Sequence, residues 1–277
     1  MLTNSHEMMK KAHQERFAIP AVDFIDLDMA RVFVNVAEER GLPLILAFAQ
    51  SHRHMISLEE AALIGRYLAE KVRVPISLHL DHGEDIDYIK RAIDLGFTSV
   101  MIDASEKPID ENIELTQRVM SLAKPKNITV EAELGHVGAN DTSESSVLTD
   151  SIYTETEEVD KFVSETKVDM LAVSIGTAHG LYTGKPKISF DRLEEISNIT
   201  DTPLVLHGGS SSGDDNLNRC AKSGISKINI YSDFLNEAYQ AIIKEEPNNY
   251  PEMKSTANSA MRSVLNHYYD VFETKAI

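Results

Sequence analysis

Pro203-Leu204-Val205-Leu206-His207-Gly208-Gly209-Ser210-Ser211-Ser212-Gly213 runs from an aliphatic segment through a histidine into a glycine-rich turn. Leu204-Val205-Leu206 shows no alternation of polar and apolar residues, the pattern of a strand covered on both faces in a parallel sheet. Leu44-Ile45-Leu46 reads the same way. Similar runs recur along the chain, at Phe17 to Val22, Pro43 to Phe48, Pro75 to Leu80, Ser99 to Ile102, Ile128 to Ala132, Met170 to Ser174, Pro203 to Leu206 and Ile225 to Ile230. Helical segments separate them. Ser57 and Glu60 form a capping-box pair ahead of Ala61, Ile64, Leu68 and Val72, which share one helical face. Thr154-Glu155-Thr156-Glu157 opens another helix, followed by Val159, Phe162 and Val163. Repeated strand–helix alternation predicts a parallel sheet, and the even spacing of the units favours closure over an open sheet with helices on both faces. The expected fold is α/β, a (β/α)8 TIM barrel. From Pro247 onward an additional C-terminal helix carries Met261, Val264, Leu265 and Tyr268 on one stripe, to pack across the barrel or against a neighbouring subunit.

The chain has 277 residues, and a barrel of this kind needs ~250. With no linker or low-complexity tract, one barrel domain is expected over residues 1–277. Two connections are long: Gly135 to Tyr153, rich in Ser, Thr and Asp, and Gly176 to Ser189, with three glycines. Loops of this length in a compact domain are usually functional lids or disordered. Hydrophobic residues make up 42%, enough for a sizeable core. The net charge of −17, from 44 acidic and 27 basic residues, opposes binding to nucleic acid or to an anionic membrane surface. An anionic substrate must then meet a local positive device, such as a metal or a helix N-terminus. The single cysteine, Cys220, excludes an intrachain disulfide and a cysteine metal cluster. No signal pattern opens the chain and no apolar run approaches the ~20 residues of a membrane span, so a cytoplasmic location is expected.

In a barrel, catalytic groups sit at the C-terminal ends of strands and in the loops that follow. Strand three runs into Asp81-His82-Gly83, strand four into Asp103 and strand five into Glu133. The loop after strand six holds His179-Gly180, strand seven ends in His207-Gly208-Gly209-Ser210, and strand eight ends at Asn229, with Ser232-Asp233 beyond. Read alone, each histidine is an ordinary hydrogen-bonding or packing residue. Gathered at one rim, three of them suit a catalytic zinc, which takes three protein ligands and leaves one position open. No local spacing supports this; only the closed barrel brings them together. His79, inside strand three, reads as a core residue. His52 and His54 look like the paired histidines of a metal hydrolase but follow strand two. The turn from Gly208 to Gly213 and the segment Asn229 to Asp233 each precede a helix, where backbone N–H groups cradle phosphate. Glycine-rich loops also occur as plain turns, and Ser232-Asp233 reads equally as an N-cap pair.

At these residues the sequence resembles the class II (zinc-dependent) fructose-bisphosphate and tagatose-bisphosphate aldolases, from Ile19-Pro20-Ala21 to the last helix. The shared motifs are Leu80-Asp81-His82-Gly83, Met101-Ile102-Asp103, Glu131-Ala132-Glu133-Leu134-Gly135, Ile175-Gly176-Thr177-Ala178-His179-Gly180, Leu206-His207-Gly208-Gly209-Ser210 and Lys227-Ile228-Asn229-Ile230. The resemblance implies that His82, His179 and His207 hold a catalytic Zn2+ and that Asp81 exchanges the proton of the aldehyde oxygen. It implies a second divalent ion at Asp103 and Glu133. Dihydroxyacetone phosphate would lie on Gly180, Gly208, Gly209, Ser210, Asn229, Ile230 and Ser232, beside Asp233, with a monovalent cation (Na+ or K+) nearby. The other proton, on the enediolate carbon, falls to the acidic loop after strand five, which contains Asp141 and Glu144; Asp141 sits nearest the equivalent place. The implied substrate is a ketose 1-phosphate or ketose 1,6-bisphosphate, and the implied assembly a homodimer or homotetramer.

This chain also departs from the family pattern. Val22-Asp23 stands where Phe-Asn is common, so Asp23 is a candidate contact for the far half of the substrate. Many members carry a serine near Ala49; Ser51 is the serine nearby and a further candidate. Thr183 replaces a lysine, Asn258 the arginine that holds the far phosphate, and Gly209-Ser210-Ser211 a Gly-Ser-Gly turn. Arg53 or Lys254 could compensate. Two rival readings remain open. A barrel amidohydrolase would want a histidine pair at the end of strand one, where this chain has Ala21-Val22-Asp23. A non-catalytic barrel scaffold would not need Asp81 beside three histidines.

Overall fold

The computed structural model describes residues 1–138, 152–180, 182 and 186–277. The elements follow in the order α1 (His6–Glu15), β1 (Ile19–Asp23), α2 (Leu27–Arg40), β2 (Leu44–Ala49), α3 (Leu58–Ala69), β3 (Ile76–Gly83), α4 (Ile86–Leu95), β4 (Ser99–Ile102) and α5 (Ile109–Ala123). The second half continues with β5 (Thr129–Leu134), α6 (Thr156–Thr166), β6 (Met170–Val173), α7 (Phe190–Ile199), β7 (Leu204–Leu206), α8 (Asp214–Lys222), β8 (Ile225–Ile230), α9 (Ser232–Glu245) and α10 (Tyr250–Val271). All strand pairs are parallel, and β8 returns to pair with β1, Asn229 lying opposite Ala21. The sheet is therefore a closed barrel, and the open-sheet alternative falls.

The strand period sorts the side chains. On β5, Val130, Ala132 and Leu134 pack outward against the helices, while Thr129, Glu131 and Glu133 are buried on the opposite, inward side. On β3, Leu78 and Leu80 face out, and Ser77, His79 and Asp81 face in. Ser57 caps α3 with the reciprocal Glu60 bond expected of a capping box. The C-terminal helix α10 buries Met261, Leu265, Tyr268 and Tyr269 and packs on α9 and α2.

The unexpected element is α1. Its Met8, Met9 and Ala12 form one buried cluster with Ile19, Ala21, Ile45, Met170, Ala172 and Val205, which line the barrel interior. Just before it, the Ser5 hydroxyl bonds that of Ser77 at 2.8 Å, and the Ser5 N–H donates to Thr129 Oγ1. α1 thus closes the amino-terminal mouth, and burying each methionine contributes ~1.5–3 kcal/mol. Side chains for chemistry remain accessible from the carboxy-terminal rim.

Candidate active site

The site begins with an irregularity in β3. Its pairing with β4 shifts register between Leu80 and Gly83, so the strand carries an extra residue. In a regular strand Asp81 and His82 would face opposite sides. The bulge, with His82 in the left-handed region at φ 45°, brings both to one side, His82 Nε2 lying 3.7 Å from Asp81 Oδ2. That backbone costs about 1–2 kcal/mol for a residue with a Cβ. Asp103, beyond β4, holds the ring in place, with Oδ2 2.8 Å from His82 Nδ1. Ser105 in turn fixes Asp103 by donating to its Oδ1 at 2.7 Å.

His179 and His207 complete a cluster. His207 lies just past β7, fully buried, with Nε2 2.8 Å from Glu131 Oε1. His179 follows β6, and its backbone N–H donates to Gly138 O at 2.7 Å. Potential ligand nitrogens of the three rings all lie within 4.8 Å of one another, and His82 Nε2 faces His179 Nε2 at 3.1 Å. Two ligands at 2.0–2.1 Å from one tetrahedral zinc stand about 3.3 Å apart. On His82 and His207 one ring nitrogen is taken by a carboxylate, which fixes the tautomer and turns the other, Nε2 of His82 and Nδ1 of His207, toward the cluster, the latter with the Asn229 amide 3.4 Å away. The donor set therefore fits zinc. Burial opposes a charge on His82, but Asp81 and Asp103 outweigh it and raise the imidazole well above its usual range. Burial and then the neighbouring His82 hold His179 well below. A metal arriving here must displace the His82 proton.

His82, Asp103 and Glu133 form a second group within 4.8 Å. Glu133 accepts the Val137 N–H at 2.8 Å through one oxygen; the other is buried without a hydrogen bond among the described residues. Burial, and then the Asp103 carboxylate, push the Glu133 carboxyl well above its usual range. A third group, His79, Asp81 and Glu131, lies deeper in the barrel, and there the cation is the protein's own. Lys227 Nζ stands 2.7 Å from Glu131 Oε2, 3.7 Å from Asp81 Oδ1 and 3.4 Å from His79 Nε2. Burial would raise both carboxyls. Lys227 and the His207 bond instead hold Glu131 at about 2, and His82 with Lys227 holds Asp81 well below its usual range. Asn229 Nδ2 donates to Asp81 Oδ2 at 3.0 Å and orients it.

The glycine turn lies on the same rim. Gly208 has φ 65°, and a Cβ there would stand 2.4 Å from Ala178 O, so only glycine fits. Tyr182 clips the two loops together, accepting the Ala178 N–H at 2.6 Å and donating to Gly208 O at 3.0 Å. Gly180 is buried beside His179, Ile230 is buried at the end of β8, and Ser232 is buried at the start of α9. Ser210 Oγ accepts the Tyr231 N–H at 3.0 Å, tying this turn to the one after β8. Ser232-Asp233 is not an N-cap pair: Tyr231 occupies the cap position without a side-chain bond. The Asp233 carboxylate instead accepts from Ser211 and Tyr268.

The other candidates scatter. Asp23 is buried at the end of β1. Ser51 sits in the 3-10 turn Gln50–His54 after β2, its hydroxyl without a hydrogen bond among the described residues. His52 in that turn is buried against Tyr231, ring centroids 4.6 Å apart. Asn258 lines a groove of about 370 Å³ with Asp28, Lys254 and Arg262. In that groove Lys254 is ion-paired to Asp28, and Arg262 to Glu39. Asp141, Glu144 and Thr183 lie outside the described residues. Sequence reading gave no role to Glu131, Lys227 or Tyr182, and to Tyr268 only a place on the packing stripe of the C-terminal helix. The first two had a signal: each stands two residues before an inward-facing site residue, Glu133 or Asn229, and so shares its side of the strand.

A closed parallel barrel with a histidine cluster beside an aspartate at its carboxy-terminal rim defines a barrel enzyme with room for a divalent metal. The family model described as fructose-bisphosphate aldolase class-II matches residues 3–276, and the chain belongs to that family. It is an enzyme of the carbon–carbon lyase type. The chain is 35% identical over 283 residues to the 6-phospho-5-dehydro-2-deoxy-D-gluconate aldolase of Halalkalibacterium halodurans, covering 100% of this chain and 89% of that one. It is 36% identical over 269 residues to the D-tagatose-1,6-bisphosphate aldolase subunit GatY of Klebsiella oxytoca, covering 95% of each. Among solved structures, the YdjI aldolase from Escherichia coli K12 matches with a TM-score of 0.89 at 28% identity, covering 99% of this chain and 98% of that one. No helix among the described residues is long and apolar enough to cross a membrane.

Proposed function

We propose that this enzyme reversibly cleaves a ketose 1-phosphate to dihydroxyacetone phosphate and an aldehyde, with zinc on His82, His179 and His207. One observation carries the reading: three histidines converge within 4.8 Å on a rim shared with Asp81 and the glycine turn. In the cleavage direction, the Asp81 carboxylate takes the proton from the hydroxyl on the carbon that becomes the aldehyde. The carbon–carbon bond breaks and its electron pair stays with the ketone half. A divalent metal, when bound, supplies Lewis-acid stabilisation of the negative charge developing there. Asn229 and Lys227 keep Asp81 ionised and aimed. Gly180, Gly208 to Ser210 and Asn229 to Ser232 hold the phosphate, with a monovalent cation close by. Asp103 and Glu133 offer a second divalent position. The acidic loop, through Asp141, returns a proton to the ketone-half carbon. One barrel over residues 1–277, assembled as a homodimer or homotetramer in the cytoplasm, carries the activity.

For the far end of the sugar, the groove around Asn258 supports a substrate without a second phosphate. Asn258 is neutral, and the cations beside it are paired with Asp28 and Glu39. A buried Asp23 carboxylate suits a sugar hydroxyl better than an anion. The test is a retro-aldol assay coupled to dihydroxyacetone phosphate detection, run on chelated enzyme with and without added zinc. Activity is expected to vanish on chelation and return with zinc. The kcat/KM for fructose 1,6- and tagatose 1,6-bisphosphate is expected to be ~10- to 100-fold below that for the best ketose 1-phosphate, the value of one missing charge-assisted contact. Full activity without metal overturns the zinc assignment. A strong preference for either bisphosphate overturns the far-end reading and leaves the aldolase standing.

A further inference from the structure

We propose that Tyr268 on α10 is a positioning residue for phosphate binding, acting through Asp233 on the turn residue Ser211. The inference rests on the reading above that the turn from Gly208 to Ser210 holds the phosphate. Ser211 has φ 57°, a left-handed conformation that residues with a Cβ avoid. It is exposed and yet held twice: its N–H donates to Asp233 Oδ2 at 2.8 Å, and its hydroxyl to Asp233 Oδ1 at 2.7 Å. Asp233 lies in the first turn of α9, immediately after Asn229 to Ser232. One carboxylate therefore joins the β7–α8 turn to the β8–α9 turn, the two sources of N–H groups for an anion.

The Tyr268 hydroxyl donates to the same Oδ2. Burial, and then the Asp233 carboxylate, hold this phenol above its usual range, so it remains a donor. Its neighbours Leu265, Tyr269 and Phe272 are buried, so α10 gives the hydroxyl a fixed place. A carboxylate beside an anion site is a liability unless it is turned away. Ser211 and Tyr268 together turn Asp233 away from the phosphate and keep the strained turn in one conformation. Without the phenol, Asp233 keeps its serine bonds but gains freedom to swing, and the turn gains freedom with it.

The test uses the metal-loaded enzyme and two readouts, the KM of the phosphorylated substrate and the inhibition constant of inorganic phosphate. Tyr268→Phe removes one donor and keeps the ring. Both constants are expected to rise about tenfold, the value of one hydrogen bond to a charged group, with kcat falling less. Ser211→Gly relieves the strained conformation, so Tyr268→Phe in that background is expected to change both constants less than about twofold. An unchanged inhibition constant in Tyr268→Phe, or an equal rise in both backgrounds, overturns the brace; the second result would mean general loosening of α10. Should Tyr268→Phe fail to fold, Ser211→Ala takes its place: it removes one bond to Asp233 without changing charge, both constants are expected to rise, and no change in either overturns the brace. The wild type tests the underlying reading separately. If inorganic phosphate does not compete with substrate, and a ketose lacking phosphate is bound as well as its phosphate ester, the phosphate reading itself falls.

Discussion

Asp81 is aimed by the bulge that sets it beside His82, by the Asn229 amide and by the Lys227 ammonium. Its proton belongs to the aldehyde oxygen rather than to the ketone-half carbon. Asp81→Ala should therefore lower carbon–carbon cleavage by ~10²- to 10⁴-fold and spare part of the proton exchange at C3 of dihydroxyacetone phosphate. Comparing solvent-deuterium incorporation with cleavage in the same variant checks this. Equal loss of both would give Asp81 the other proton or a role in metal binding. The adjacency of Asp81 and His82 was legible in the sequence, but the left-handed φ of His82 was not, because no glycine or asparagine marks the position.

The strands were read to within a few residues because both their faces are apolar or chemically conspicuous, and the helices because their caps and stripes are strong. α1 escaped notice: only Met8, Met9 and Ala12 are buried in a helix that is otherwise polar. Lys227 and Glu131 stood in the sequence only as members of motifs, and their pairing came into view when closure set them against each other across the barrel. At the base of the long loop after β5, His136 and Ile152 pair antiparallel. The turn after β7 is held by the strand beside it. A Cβ on Gly209 would stand 2.6 Å from Ile228 Cγ2 and 2.7 Å from Asn229 O. Gly209→Ala should thus push β7 from β8, costing about 1–3 kcal/mol of stability and raising the KM for the phosphorylated substrate. Urea midpoint and KM measured together decide it; a lowered midpoint with an unchanged KM would separate the turn from substrate binding.

The buried charges bear on the stability of the entire fold. Glu131 falls from an ordinary 4.5 to about 2 in the folded chain, held by Lys227 and His207 against the cost of burial. A carboxyl with a lower pKa folded than unfolded binds fewer protons when folded. It stabilises the protein above its unfolded value and loses that contribution as the pH falls through the folded one. The share of the metal-free protein's urea midpoint that Glu131 supplies, read as wild type minus Glu131→Gln, should therefore be complete above about pH 5 and be lost between 4.5 and about 2. Glu131→Gln should begin lower, with its neighbouring ammonium less compensated, and fall less steeply. A difference unchanged by pH across that window would show that this buried charge carries no net folding energy. Opposite charges inside a barrel were the least legible feature of the sequence, since partners 96 residues apart give no local sign of each other.

The seal that α1 lays over Ile19, Ala21, Ile45, Met170, Ala172 and Val205 makes the barrel a well rather than a pipe. Everything that reaches the histidines arrives from the carboxy-terminal rim, and everything that leaves must pass the same way. A molecule docked on that rim therefore shields the histidine nitrogens from chelator and solvent alike, because the floor offers no second route.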